Sequence, residues 1–355
     1  MRYLPVFLAF AKIGDLLITW PEEWIIYTHH TGGLFFAPLG ISDFVKGSRT
    51  FEFERLPISL KRKLHSLVLL FFTSLGGTFV PFSIYGSGLG SRVVLYPYRR
   101  LRTEEKEILI RWRGYKMYIN PREKGVAQGV IAQDYERAEG EVFRGIIKKG
   151  MNVVDAGANV GIYSLLASSL VGAAGRVYSF EPESYNFQLL SANLRANGCK
   201  NVIATRKGLS EKVGRVNLFL DRDNYGLHSF VSRNVNETKE VIEVETTTLD
   251  SFLPTTRIDV LKIDVQGAEG NVLRGSKQFL DQESGMIFME FWPYGLRGNC
   301  EDPLSLLQMI RDHGFCPRVA LRSHDHAICG WSALNDFAKT TDSDKWLNLL
   351  FEKVR

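Results

Sequence analysis

Three short stretches place acids and glycines where apolar runs end. The first is Asp155-Ala-Gly-Ala-Asn-Val-Gly161, directly after Val153-Val154. Gly157 lets the backbone turn and approach a ligand closely, and Gly161 permits tight packing of a helix on a sheet. The spacing is not G-x-G-x-x-G, because Asn159 stands at the second glycine position. An acid at the strand end, Asp155, disfavours a pyrophosphate and suits a cationic ligand. The second stretch is Phe180-Glu-Pro182, with Glu181 lying 26 residues after Asp155. A carboxylate there can accept two hydrogen bonds from a ribose diol, and Pro182 turns the chain out of its strand. The third is Ile258-Asp-Val-Leu-Lys-Ile-Asp-Val-Gln-Gly-Ala-Glu269, with Asp264 at the mouth of another strand.

Together these residues describe a site for a cationic ribonucleoside that carries no phosphate. S-adenosylmethionine, with its ammonium and sulfonium, has that chemistry. Asp155, Gly157, Asn159, Gly161, Glu181 and Pro182 are the candidate cofactor residues, with Ser210 placed to meet an adenine edge. Group transfer from such a cofactor to a weak nucleophile needs alignment, exclusion of water and a base within hydrogen-bond reach. Asp264 is the first candidate base. His228, in Asn224-Tyr-Gly-Leu-His-Ser229, is the second, because an imidazole titrates near neutrality. Glu290 is a candidate to orient the substrate or the base. Trp292 and Tyr294 are candidates for an acceptor pocket.

The elements that must position these groups follow from periodicity. Strands are predicted at 153–154, 177–180, 202–205, 260–263 and 286–291. Helices are predicted at 162–170, 184–197, 303–313 and from 268 onward. Such alternation implies an α/β fold with a doubly wound, mostly parallel sheet, whose ligands lie at the carboxyl ends of the strands. Val216–Leu220 and Val241–Thr246 read as an inserted antiparallel hairpin. Ile108–Ile110 and Lys116–Ile119 read as a strand pair turning at Arg113-Gly114. A helix is expected over Asp134–Lys149, ended by Gly150, and antiparallel strands are expected in the remainder to Trp331.

The chain has 355 residues, 45% hydrophobic and 23% charged, which excludes disordered and collagen-like classes. Its length fits a core with an extension. Cys199, Cys300, Cys316 and Cys329 contain no C-x-x-C pair and read as reduced thiols. His324-Asp-His326 with Cys329 reads as alternation on a late strand and not as a metal site. Val45–Val126 holds 16 basic and 6 acidic residues, whereas the whole chain is only +5. That contrast reads first as a solvated face, with attraction to phosphates, an acidic glycan or an anionic membrane as the functional alternatives. No recognition-helix or RNA-binding signature accompanies it, so nucleic acid is not expected. Residues 64–91 lack Asp, Glu, Lys and Arg. Gly76-Gly77 and Pro81 interrupt them, which favours a buried helix plus loop over an interfacial membrane segment, and both over a membrane span. Met1–Ala11 imitates a signal peptide, but Lys12 follows at once. The expected location is cytoplasmic, with contact at a membrane surface as the alternative.

As an ordered set, four stretches resemble the FkbM family of S-adenosylmethionine-dependent methyltransferases. They are Val153–Tyr163, Val177–Pro182, Thr247-Thr-Leu-Asp250 and Lys262–Glu269. Gln133-Asp-Tyr-Glu136 and Met289-Glu-Phe-Trp292 extend the resemblance to roughly residues 115–320, and Glu136 is thereby a candidate to close over the cofactor. The resemblance implies a Rossmann-like class I methyltransferase fold over residues 101–355, with its core motifs in 151–292. Residues 1–100 remain an aromatic-rich N-terminal extension. It also implies methyl transfer to a hydroxyl of a sugar, glycan or small metabolite. Gln266 departs from the pattern, since a Glu is frequent there. Two alternatives compete. One is an inactive binding or membrane-anchored assembly protein on the same fold, opposed by the intact Asp155, Gly157, Glu181 and Asp264. The other is an NAD or nucleotide-sugar enzyme, opposed by Asn159 and Asp155.

Overall fold

The computed structural model describes residues 107–131, 133–221, 223–235, 238–322, 325–327 and 330–354, and five short strands among residues 9–52. The chain divides into two units, residues 1–72 and 73–355. In the first unit, strands Ala9–Phe10, Leu17–Trp20, Trp24–Thr28, Gly33–Pro38 and Thr50–Glu52 form one sheet. The candidate membrane-contact segment 64–91 lies outside the described residues, as do the side chains of His324, His326 and Cys329. Among the described residues, no helix is long and apolar enough to cross a membrane.

Among the described residues, the second unit opens with β1 (Ile108–Trp112) and β2 (Tyr115–Ile119), a hairpin in the expected register. Ile108, Ile110 and Trp112 are buried while Leu109 is half exposed, the alternation of a one-sided strand. Arg113 and Gly114 both adopt positive φ (44° and 91°), which matches the twist of a two-residue hairpin turn. Helices α1 (Val126–Ile131) and α2 (Arg137–Ile146) follow. The predicted helix over 134–149 is therefore corrected at both ends. Glu136 sits in the left-handed region at its start, and Ile147 is already extended at its end. Gly150 (φ 84°) turns the chain toward the next strand and does not cap the helix.

The next elements are β3 (Asn152–Ala156), α3 (Ile162–Val171), β4 (Arg176–Phe180), α4 (Ser184–Ala196) and β5 (Val202–Thr205). Then come the insert strands β6 (Gly208–Leu209), β7 (Gly214–Asp221) and β8 (Thr238–Thr247), followed by α5 (Leu249–Phe252). The chain continues with β9 (Val260–Ile263), α6 (Glu269–Arg274), α7 (Lys277–Asp281), β10 (Met286–Phe291), α8 (Pro293–Gly298) and α9 (Pro303–Asp312). It closes with β11 (Phe315–Arg322), β12 (Asp325–Ala327), α10 (Trp331–Ala338) and β13 (Leu347–Lys353). The main sheet has the order β5-β4-β3-β9-β10-β13-β11-β12. Its first five strands are parallel, and β13 enters antiparallel between β10 and β11. This is the predicted doubly wound, mostly parallel α/β sheet. The inserted hairpin β7–β8 is also present, with β6 added to it in parallel.

Val153, Val154, Val260, Leu261 and Ile263 are wholly buried, as strands covered on both faces require. The order reverses at β3, between β4 and β9, so a crevice opens above their carboxyl ends. Sequence periodicity does not reveal β13, because its place in the sheet is non-sequential.

Helix α4 holds the hairpin in an unusual way. Asn193 accepts from the Tyr118 amide (2.6 Å) and donates to the Tyr118 carbonyl (3.1 Å) and the Val160 carbonyl (2.8 Å). One turn later, Asn197 repeats the pattern on the Lys116 amide (2.9 Å) and carbonyl (2.7 Å). Two carboxamides on a helix thus satisfy the open edge of β2 as a neighbouring strand would. Asn193→Ala strands one buried and two part-buried backbone groups and is expected to cost about 2–3 kcal/mol, read as a lower urea midpoint with an unchanged slope.

Candidate active site

The turn after β3 is built around what cannot fit there. A Cβ on Gly157 (φ 76°) would lie 1.9 Å from the Asp264 carbonyl oxygen, so only glycine lets the two strand-end turns meet. The Gly157 and Ala158 amides donate to the Phe180 carbonyl (3.0 and 2.9 Å), tying this turn to the end of β4. Gly161 has a different task. Its Cβ would lie 2.6 Å from a methyl of Leu190, so it sets the packing of α3 on α4 and does not line the cavity.

Glu181 follows β4 and receives two backbone amides, Asn159 at 2.8 Å and Glu183 at 2.9 Å. Burial nevertheless pushes its carboxyl up to about 8, against the pull of those amides. Glu183 in turn caps α4 through the Tyr185 and Asn186 amides (2.9 and 2.6 Å).

Register places Lys262 of β9 beside Asp155 of β3. Its ammonium lies 3.2 Å from Asp155 and 3.6 Å from Asp264, and donates to the Gly157 carbonyl at 3.0 Å. Burial opposes its charge, but Asp155, Asp264 and Glu136 outweigh that and hold the ammonium above its ordinary range. Asp155 is wholly buried, accepts from Ser164 (2.6 Å) and does not open on the cavity. It faces a cation, as its position suggested, but that cation is the protein's own lysine.

Asp264 is the more open partner of Lys262, with its side chain 29% exposed. Gln266 (φ 53°) donates from one nitrogen to Asp264 (2.9 Å) and to Glu290 (3.0 Å). Glu269 steadies this turn by accepting the Val265 and Gly267 amides (3.3 and 3.0 Å). Burial first, then the charges of Asp264, Glu269 and Glu136, push the Glu290 carboxyl well above its ordinary value. Glu136 accepts from the Tyr163 hydroxyl (2.5 Å), and burial together with Asp264 raises it to about 7.

The inserted hairpin supplies the roof. The Tyr225 carbonyl accepts from Asn159 (3.1 Å) and Asn186 (3.2 Å), while the Gln266 carbonyl accepts from Ser229 (2.8 Å) and Asn234 (3.0 Å). His228 accepts the Asp221 amide at Nδ1 (3.0 Å), so its neutral ring carries the proton on Nε2. That tautomer can donate from Nε2 and cannot accept a proton there.

These parts enclose a cavity of about 520 Å³. Glu136, Gly157, Asn159, Glu181 and Pro182 line it, as do Asp264, His228 and Glu290. Trp292 and Tyr294 also line it, whereas Ser210 does not. The Ser210 amide binds the Thr247 carbonyl, and its own carbonyl abuts Gly275. Sequence reasoning missed Tyr135, Asn186, Arg233, Asn234, Asp344 and Trp346 on the wall. Only the Tyr135-Glu136 pair stood in a recognisable stretch. Among the described residues no group of His, Cys, Asp and Glu forms a metal site.

Residues 155–316 match the family model of the methyltransferase FkbM domain. That match covers 162 of the 355 residues, just under half of the chain. The chain is 28% identical over 195 residues to Methyltransferase sdnD of Sordaria araneosa, spanning 46% of this chain and 73% of that protein. It is 27% identical over 144 residues to Methyltransferase 1 of Beauveria bassiana (strain ARSEF 2860), spanning 35% and 57%. A solved structure of M. jannaschii TYW2 in complex with AdoMet aligns over 71% of this chain and 89% of its own, at 14% identity and a TM-score of 0.40. The FkbM match begins at Asp155, so Tyr135 and Glu136 reach the cavity from outside it. Trp346, on the C-terminal side, does the same.

The raised Glu181 carboxyl makes a stability prediction. The folded chain holds that proton more tightly than the unfolded chain. Its stabilising share is therefore complete below about pH 4.5 and lost as pH rises through about 8. Melting temperatures from pH 5 to 8 should fall less steeply in Glu181→Gln than in the parent. Removing the cation instead, in Lys262→Met, leaves Asp155 buried without its partner and is expected to cost about 3–5 kcal/mol, measured by chemical denaturation.

Proposed function

We propose that this methyltransferase uses S-adenosylmethionine to methylate a hydroxyl oxygen of a sugar, glycan or small metabolite. The catalytic unit is residues 101–355, and the acceptor is met in the cytoplasm. The observation that carries the reading is the acid wall of the cavity. Glu136, Asp264 and Glu290 all line it near the point where strand order reverses. Such a wall suits a cation and repels a pyrophosphate. Glu181, held by two backbone amides, has lone pairs left for a ribose diol.

When bound, S-adenosylmethionine supplies an electrophilic methyl on a sulfonium. The chain's own residues do the rest. Glu181 holds the ribose, and the Gly157 turn lets the backbone approach. The roof of Tyr225, Leu227 and Phe230 excludes water. Asp264 takes the proton of the acceptor hydroxyl. It is favoured over His228, whose Nδ1 is occupied by the Asp221 amide. Trp292, Tyr294 and Trp346 offer ring faces to the acceptor, and Trp292 is fixed by its indole N–H on the Ser343 carbonyl (2.8 Å).

Calorimetry with S-adenosylmethionine, NAD and a nucleotide sugar separates this reading from its rivals: only the first should bind. Glu181→Ala should weaken that binding at least about tenfold while the fold persists. With saturating methyl-labelled donor and a panel of hydroxylated acceptors, Asp264→Asn should still bind the donor, though more weakly, and lose about 100-fold in turnover. Full activity of that variant would remove Asp264 as base.

A further inference from the structure

Gln266 belongs to neither carboxyl group that it touches, yet it joins them. Its two N–H bonds point to Asp264 (2.9 Å) and Glu290 (3.0 Å). Both partners are carboxyl oxygens, so the nitrogen end of the amide must face them. The side chain has little freedom to point elsewhere. Its backbone is left-handed, and its carbonyl is gripped by Ser229 and Asn234. The neighbouring amides at Val265 and Gly267 are held by Glu269.

We propose that Gln266 is a positioning residue for charge: its carboxamide joins Asp264 and Glu290 into one anionic wall that selects the sulfonium cofactor over its neutral thioether product. The inference rests on the S-adenosylmethionine reading above. Two carboxylates in one corner repel, so one of them gathers a proton more readily, and a donor shared by both lessens that tendency. An amide with two N–H groups supplies that donor to both at once without adding a charge. A carboxylate at position 266 would add a third acid instead.

Other groups face the pair from every side. Lys262 lies 3.6 Å from Asp264, with Asp155 behind it on β3. Glu269 approaches from α6, and Tyr135 and Glu136 from the segment before α2. His228, Arg233 and Asp344 share the cavity wall. Lys262 is already committed to Asp155 and the Gly157 carbonyl, which leaves the wall net acidic. A sulfonium entering this cavity draws protons off the wall. The thioether has no charge and does not.

The test compares binding of S-adenosylmethionine and S-adenosylhomocysteine to the full chain by calorimetry, from about pH 5.5 to about pH 8.5. The ribose and adenine are common to both, so the affinity ratio isolates the sulfonium. For the parent chain, the ratio should climb with pH as the wall ionises. Gln266→Met removes both donors. Its midpoint should move up by about one pH unit, lowering the ratio at neutral pH about tenfold, while homocysteine-ligand affinity holds. Gln266→Asn tolerates the left-handed backbone but is one methylene short, and should shift in the same direction; it serves if the Met variant does not fold. An unchanged ratio and midpoint in a folded variant would overturn the proposal. So would an equal loss for both ligands, since that marks a purely structural role. If the parent chain binds neither ligand, the cofactor reading fails, and this inference with it.

Discussion

The buried ammonium of Lys262 ties the site together. It lies between Asp155 and Asp264 and reaches the Gly157 carbonyl, so one cation touches the ends of two strands and the turn between β3 and α3. Burying that charge is tolerable only because carboxylates sit beside it. The same contacts bring the β3 and β9 turns so close that no side chain fits at Gly157. The width of the crevice at the strand-order reversal follows from this ion group. The acidity of its floor does too, because Lys262 neutralises Asp155 more closely than it neutralises Asp264.

Around that centre, hydrogen bonds run mostly from side chains to backbone, and each fixes a turn. Glu181 holds the Asn159 turn, Glu269 holds the Gln266 turn, and Glu123 accepts the Gly125, Ala127 and Tyr225 amides. Asn159 and Asn186 then fasten the Tyr225 carbonyl. The inserted hairpin is thereby anchored to the Asn159 turn on one side and to the segment before α1 on the other. Site geometry and fold stability are one network, since the carboxylates that shape the cavity also satisfy buried amides.

Much of the site was legible because chemistry and strand ends coincide in short stretches. Glu181, Asp264, Glu290 and Gly157 each sit at or beside a strand's carboxyl end, where position along the chain predicts position in space. Asp155 illustrates the limit. Its place suggested contact with a cationic ligand, but sequence spacing says nothing about which residue of β9 comes into register beside it. Ser210 lies just past the wall that Gly208 and Leu209 of β6 line, with its amide on the Thr247 carbonyl, a pairing that no local pattern reports. Glu136 was legible only through family resemblance, since its left-handed backbone breaks the helical pattern that periodicity reads.

The sequence by itself determined the order of the five parallel strands and the main helices between them, the doubly wound sheet, the inserted hairpin and the acids at the strand ends. Those features are local, and the side-chain pattern along each element reports them. Tertiary structure alone decided that Lys262 answers Asp155, that β13 slides between β10 and β11, and that Gln266 bridges two carboxyl groups. It also decided that Asn193 of α4 and Asn197 at its C-terminal cap stand in for a strand. Each of these joins residues far apart in the chain, where register and burial set the partners and no local pattern records them.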